Sequence, residues 1–277
     1  MPPQAPSHIP VMLDEVLQCL RPQGGGLYVD ATTGLGGHSA AILDAAGAGA
    51  RLIAVDQDPG ALELAQARLN PYGDAVTFVE ANFADLDDVF EVVAETDADG
   101  ILMDIGMSSY QIEHSGRGFS FTRDEPLDMR MNPETEPTAS HVVNRYRVEE
   151  LEKVIREYGE ERWARRIARA IVEQRKEQPL NTSRQLATLV EKAIPGSARG
   201  RRHPATRTFQ ALRIAVNDEL GALTRGLDVA LRRLRPDGTL CVICFHSLED
   251  RIVKRAFRAA AAGSDGAYDL LTKRPMV

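Results

Sequence analysis

The stretch Asp30-Ala-Thr-Thr-Gly34-Leu-Gly36-Gly37-His38-Ser39 has the composition of a ligand-binding loop. An apolar run precedes it and a helix-forming run follows, so it reads as a glycine loop between a strand and a helix. Glycine lets backbone approach a ligand closely, and the first turn of a helix offers unspent N–H groups to a carboxylate or other anion. Asp56 ends a second apolar run twenty residues past Gly36, where a carboxylate accepts hydrogen bonds from both hydroxyls of a ribose. The expected ligand therefore carries a ribose without a 2′-phosphate. A dinucleotide pattern, G-x-G-x-x-G, is met at Gly34 and Gly36 but has Ser39 at its third glycine. An S-adenosylmethionine pattern, an acidic residue with glycines two, four and six residues on, finds Asp30 followed by Thr32, Gly34 and Gly36. Each has one mismatch, and the loop alone does not choose.

Other candidates lie at the ends of later apolar runs. Phe83 follows the third run and is placed to cover an adenine, or to fill a core. Asp104 closes the fourth run, as a carboxylate facing a ligand or as a turn residue. His246 lies just past the fifth run, at the carboxyl edge where open α/β sheets bind ligands, and reads as a contact with a target nucleotide or as a helix cap. Ser247 also fits the N-cap of a following helix. Arg199-Gly-Arg201-Arg202-His203 suits a phosphate-bearing partner, since arginines around a flexible glycine adapt to phosphates and supply affinity without sequence information. Arg130 and His203 are further phosphate candidates, or they tie the insertion to the sheet domain through pairs such as Asp128 with Arg130.

These residues need a scaffold. The runs GLYVD, RLIAVD, AVTFVE and GILMD alternate with helical stretches, which argues for parallel βαβ units in a doubly wound α/β sheet. The alternation stops near Met107 and resumes after Asn217. Residues 1–106 and 217–277 therefore read as one sheet domain, and 107–216 as an inserted, mainly helical domain. Within the insertion, Leu151, Val154, Ile155, Tyr158, Trp163, Ile167 and Ile171 follow a helical period. Thr182 and Gln185 form a capping box for the next helix. After Asn217 come a helix through LTRGLDVALRRL, a turn at RPDG and the strand TLCVICF. Cys241 and Cys244 in that strand point to opposite faces, so they neither bridge nor share a metal.

The chain has 277 residues, 43% of them hydrophobic and 26% charged. None of its apolar runs approaches the roughly 18 residues of a membrane span. The opening MPPQAPSHIP lacks a basic region followed by an apolar stretch, which makes the cytoplasm the expected compartment. The net charge of -7 is unevenly spread: residues 1–140 carry 6 basic and 23 acidic side chains, whereas 141–216 carry 17 and 9. A basic insertion on an acidic protein is a footprint for a phosphate-bearing partner, or a solvated Glu/Arg helix face.

His8-Ile-Pro-Val-Met-Leu-Asp-Glu15, Gly36-Gly37-His38-Ser39, Arg117-Gly-Phe-Ser-Phe121, Pro126-Leu-Asp-Met-Arg-Met131, Tyr158-Gly-Glu-Glu-Arg162, His203-Pro-Ala-Thr206 with Phe209-Gln-Ala-Leu-Arg213, and Phe245-His-Ser-Leu-Glu-Asp-Arg251 occur in this order along nearly the whole chain. Together they resemble the bacterial 16S rRNA cytosine-N4 methyltransferases, which modify cytosine 1402, in rRNA numbering, near the decoding centre of the small ribosomal subunit. The resemblance implies a Rossmann-like class I methyltransferase sheet with an inserted substrate-recognition domain. It implies S-adenosylmethionine contacts at Gly36, Gly37, His38, Asp56, Phe83, Asp104 and Gln111, and 16S rRNA within the small subunit as the partner; the sequence leaves the oligomeric state open, a homodimer among the options. Asp104, Ser108, Ser109, Tyr110 and His246 are the expected catalytic set. Two departures stand out: Tyr110 replaces the proline usual in the family, and members usually continue past the segment that here ends at Val277. An NAD-dependent oxidoreductase shares the ribose carboxylate but has no need of a basic insertion, and a non-catalytic RNA-binding module shares the basic insertion but not methyl transfer.

Overall fold

Strands buried on both faces read as unbroken apolar runs, and the computed structural model, which describes residues 10–196, 203–263, 267–272 and 274–276, places such runs in one parallel sheet. The chain divides into two compact units, 1–108 with 220–277, and 109–219. In the first unit the order is α1 (Leu13–Leu20), β1 (Leu27–Asp30), α2 (Gly37–Ala46), β2 (Arg51–Asp56), α3 (Pro59–Leu69), β3 (Val76–Glu80), α4 (Leu86–Val92) and β4 (Ala98–Asp104). The second unit contributes α5 (Ser109–Glu113), α6 (Ala139–Arg145), α7 (Val148–Gly159), α8 (Ala164–Glu177), α9 (Ser183–Ala193) and α10 (Thr206–Asn217). The first unit then resumes from residue 220 within α11 (Glu219–Arg232), followed by β5 (Leu234–Ile243) and α12 (Ser247–Gly263). The later cut, after residue 219 instead of 216, follows from α10: it runs to Asn217, and Asp218 ends it in a left-handed conformation.

The strand order β3-β2-β1-β4-β5 reverses direction between β1 and β4, which makes the carboxyl ends of those two strands the binding crevice. Side chains alternate between two helix layers. Tyr28, Leu52, Ala54 and Leu102 pack with Val16, Leu20, Ile42, Leu43 and Leu69 from α1, α2 and α3. Val29, Ile53, Val55, Ile101 and Met103 pack with Leu86, Phe90, Leu223, Leu227 and Val253 from α4, α11 and α12. Leu102 and Phe90 are wholly buried. Such side chains each contribute about 1.5–3 kcal/mol, which holds the strand ends, and so the site, in register.

One expectation is corrected here, and another gains detail. The RPDG turn does not precede β5 but bulges out of it. Leu234 pairs with Ala98 and Thr239 with Gly100, so four residues face one, and Arg235 Nη1 donates to Asp99 Oδ2 at 2.7 Å across the bulge. The periodic run after Leu151 is two helices, α7 and α8. Glu160 at φ 46° ends α7, and Gly159 there lies against α10 so tightly that a Cβ would sit 2.5 Å from the Arg207 carbonyl oxygen. The predicted capping box is present: Gln185 N donates to Thr182 Oγ1 and Thr182 N to Gln185 Oε1. Cys241 packs in the layer of α1 and Cys244 in the layer of α12, both thiols pushed up to about 12 by burial. Among the described residues no helix is long and apolar enough to cross a membrane.

Candidate active site

β1 delivers its last residue, Asp30, into complete burial at the carboxyl edge. There Asp30 organises the glycine loop: Ser39 Oγ donates to one carboxylate oxygen at 2.6 Å and Thr32 N to the other at 3.2 Å. Burial raises its pKa, against those hydrogen bonds. Thr33 N donates to the Val55 carbonyl and Gly36 N to the Thr33 carbonyl, which closes the turn. Gly34 (φ 52°) and Gly36 (φ 74°) occupy left-handed backbone that a side chain would strain. The Gly36 N-cap offers no side-chain cap and Asp30 takes the Ser39 backbone N–H, so the N–H groups that α2 presents to a ligand are those of Gly37 and His38.

Asp56 is already engaged: Oδ2 accepts from Gly34 N at 2.7 Å and Oδ1 from Asp58 N at 2.9 Å. A carboxylate has about four acceptor positions, so two remain for a ribose. Burial pushes its pKa up to about 6, opposed by the two backbone donors. Asp104, at the end of β4, is the least satisfied of the three acids. Its backbone N–H donates to Thr32 Oγ1 at 2.6 Å, its Oδ2 lies 3.7 Å from His38 Nδ1, and its Oδ1 is buried with no hydrogen-bond partner. Burial pushes this carboxyl up to about 6; the His38 imidazole pulls down, while Asp30 and Glu249 push up. A loop with donors to spare, a ribose-type carboxylate and an unpartnered acceptor thus lie on one sheet edge.

Residues 5–273 match the MraW methylase family. This chain belongs to the MraW methylase family. It is 55% identical over 251 residues to the ribosomal RNA small subunit methyltransferase H of Symbiobacterium thermophilum, covering 90% of this chain and 79% of that one. It is 52% identical to the protein of the same name from Heliobacterium mobile, covering 92% and 83%. Among solved structures it partly overlays an O-methyltransferase of Thermotoga maritima at 21% identity, TM-score 0.29, over 34% of each chain.

Other residues of this MraW-family chain have structural duties that their sequence positions did not show. Phe83 is half-buried against α11, where a Cβ on Gly226 would lie 2.8 Å from its ring, so part of the ring is left for a ligand. Beside it, Asn82 Nδ2 donates to Gln57 Oε1 at 2.9 Å, joining the ends of β2 and β3; both residues went unmarked although each adjoins a marked one. Ser39 and Thr32 were likewise missed: both donate to Asp30, and Thr32 Oγ1 accepts from the Asp104 backbone N–H. His246, and not Ser247, is the N-cap of α12. Glu249 N donates to its Nδ1 at 3.4 Å, and the fully buried Glu249 carboxylate accepts from the backbone N–H of Phe245 and His246. Its Nε2 stands 3.1 Å from Glu249 Oε1, near but out of line for a hydrogen bond.

In the second unit, Ser109, Tyr110 and Gln111 open α5, with Gln111 buried and the Tyr110 ring 6.5 Å from that of His114. Ser108 closes the first unit, its Cβ 3.6 Å from where a Cβ on Gly34 would stand. Arg130 is held by Asp128, Nε donating to Oδ1 at 2.9 Å and Nη2 to Oδ2 at 2.7 Å, while Nη1 donates to the Thr135 carbonyl. These partners all belong to residues 109–219, so the Asp128 pair braces the second unit internally. His203 is exposed; its ring stacks on Phe121 at 4.4 Å and its Nδ1 accepts from Ala205 N. Arg199, Arg201 and Arg202 lie outside the described residues.

Proposed function

We propose that this chain transfers a methyl group from S-adenosylmethionine to the exocyclic N4 of cytosine 1402 of 16S rRNA, within the small ribosomal subunit. The observation that carries the reading is Asp104 Oδ1, a buried acceptor with nothing to accept from, beside a glycine loop with donors to spare. The relatives named for small-subunit rRNA methylation support the substrate class. The residues fit the cofactor. The uncapped start of α2 at Gly36, Gly37 and His38 would receive its carboxylate, Asp56 its ribose, the open part of Phe83 its adenine, and Gln111 is proposed as a further contact. When bound, the cofactor supplies an electrophilic methyl group on a sulfonium.

The amine of cytosine is a poor nucleophile because its lone pair is delocalised into the ring. An acceptor that holds an amine N–H lets the nitrogen pyramidalise, and Asp104 Oδ1 is that acceptor. Ser108 and Ser109 are proposed as further acceptors, Tyr110 as a stacking surface for the base, and His246 as the support of the loop after β5. A cytosine extruded into the site would be selected mostly by rRNA shape, with Arg199, Arg201, Arg202 and His203 of the basic insertion proposed as phosphate contacts; Arg130, engaged by Asp128, is left out of that set. The chain is expected to act in the cytoplasm, as a monomer or homodimer. The test is incubation with methyl-labelled S-adenosylmethionine and unmodified small subunits, followed by nucleoside mass spectrometry. Labelled N4-methylcytidine from position 1402 is expected; label on another nucleoside, or binding of NAD instead of S-adenosylmethionine, would overturn the reading.

A further inference from the structure

His38 does more than end the glycine loop. Its Nε2 lies 2.9 Å from the Val11 carbonyl oxygen. A carbonyl only accepts, so Nε2 carries a hydrogen whether the ring is neutral or charged. In the neutral ring Nδ1 is then bare, and it is the atom that stands 3.7 Å from Asp104 Oδ2. The two side chains are only 7% and 23% exposed, so little water separates them. An ionised carboxylate beside a bare imidazole nitrogen would set two lone pairs against each other; a proton on either group removes the conflict.

We propose that His38 and Asp104 hold one proton between them, and that His38 is a positioning residue that sets the charge on Asp104. The groups around the pair favour retention of that proton. Asp30 at the end of β1 and Glu249 of α12 face Asp104 with negative charge, while the Cys241 thiol of β5, pushed up to about 12, stays neutral. The same imidazole ties Asp104 to the segment before α1, because Pro10 seats so closely on the loop that a Cβ on Gly37 would lie 2.6 Å from its Cγ. The charge on Asp104 and the seating of residues 10–12 are thereby linked through one ring. The consequence for catalysis rests on the methyl-transfer reading above, whereas the shared proton belongs to the cofactor-free protein.

The test is a carbon NMR titration of the Asp104 carboxyl in cofactor-free protein, with nitrogen shifts reporting the His38 tautomer. His38→Gln keeps an amide toward Val11 and removes the charge. Burial already pushes Asp104 up to about 6 while His38 pulls it down. The midpoint should therefore rise by about half a pH unit or more in the variant. The neutral His38 ring should carry its hydrogen on Nε2. An unmoved midpoint, or a hydrogen on Nδ1, overturns the proposal. His38→Asn carries the same test if the glutamine variant does not fold. In the methyl-transfer assay, the acid limb of kcat/KM should rise in parallel. A moved midpoint with no methylation by either protein keeps the pair and sinks the functional reading; methylation with an unmoved midpoint sinks the pair.

Discussion

The two units bury acidic side chains under opposite terms. In the first, Asp30, Asp56 and Asp104 have no arginine or lysine partner among the described residues, and burial raises all three. In the second, Asp128 is gripped by the Nε and Nη2 edge of Arg130. Although burial pushes upward, those hydrogen bonds hold it below the usual carboxylate range. Glu219 is held in the same bidentate way by Arg213, at 2.7 and 2.8 Å, with both side chains buried. A paired charge braces a fold, whereas an unpaired buried one costs stability and persists where chemistry needs it.

Breaking the second unit's rule should have the largest effect. Arg213→Ala leaves Glu219 buried without its cation and should cost about 3–5 kcal/mol, read by urea denaturation. A cost under about 1 kcal/mol would mean that the pair braces nothing and the contrast fails. Asp104→Asn, in the first unit, should instead leave the fold intact and reduce methyl transfer about 100-fold or more.

The same variant sharpens the contrast in its pH dependence. The folded state holds the Asp104 proton more tightly than the unfolded chain, whose carboxyl lies at the ordinary 3.8. The stability of the parent protein should therefore fall as pH rises from about 4 to about 6, by about 1–2 kcal/mol from this group, and Asp104→Asn should lack that fall. A variant that follows the parent curve would show that the cost lies elsewhere. The smallest effect belongs to His246→Ala, which removes one half of the α12 cap and should cost about 1 kcal/mol while leaving S-adenosylmethionine affinity unchanged. Loss of cofactor affinity in that variant would move His246 from scaffold to site.

Much of this was legible in the chain itself. The four strands before the insertion stand out because a parallel strand buried on both faces needs an unbroken apolar run, and the glycine loop because glycine adopts φ near +50 to +75° at the least steric cost. The break at Glu160 between α7 and α8 was hidden because both helices continue one apolar period across it, and what stops α7 is the close approach of α10 at Gly159. The bulge in β5 was hidden because RPDG is turn chemistry wherever it stands. His246 as a cap was hidden because Ser247, beside it, is the commoner capping type.

The sequence by itself determined the layout: parallel sheet, glycine loop, a carboxylate closing the second strand, basic insertion, and the order of motifs that identifies the family. Those features rest on local rules of period, backbone freedom and residue type, which act over a few neighbours. Tertiary structure alone decided which groups are satisfied. Arg130 is spent on Asp128, Asp56 on two backbone donors, and Glu249 on the loop before α12, while Asp104 keeps an oxygen with no partner. Hydrogen-bond satisfaction depends on burial and on partners brought from distant parts of the chain, and only a packed molecule defines either.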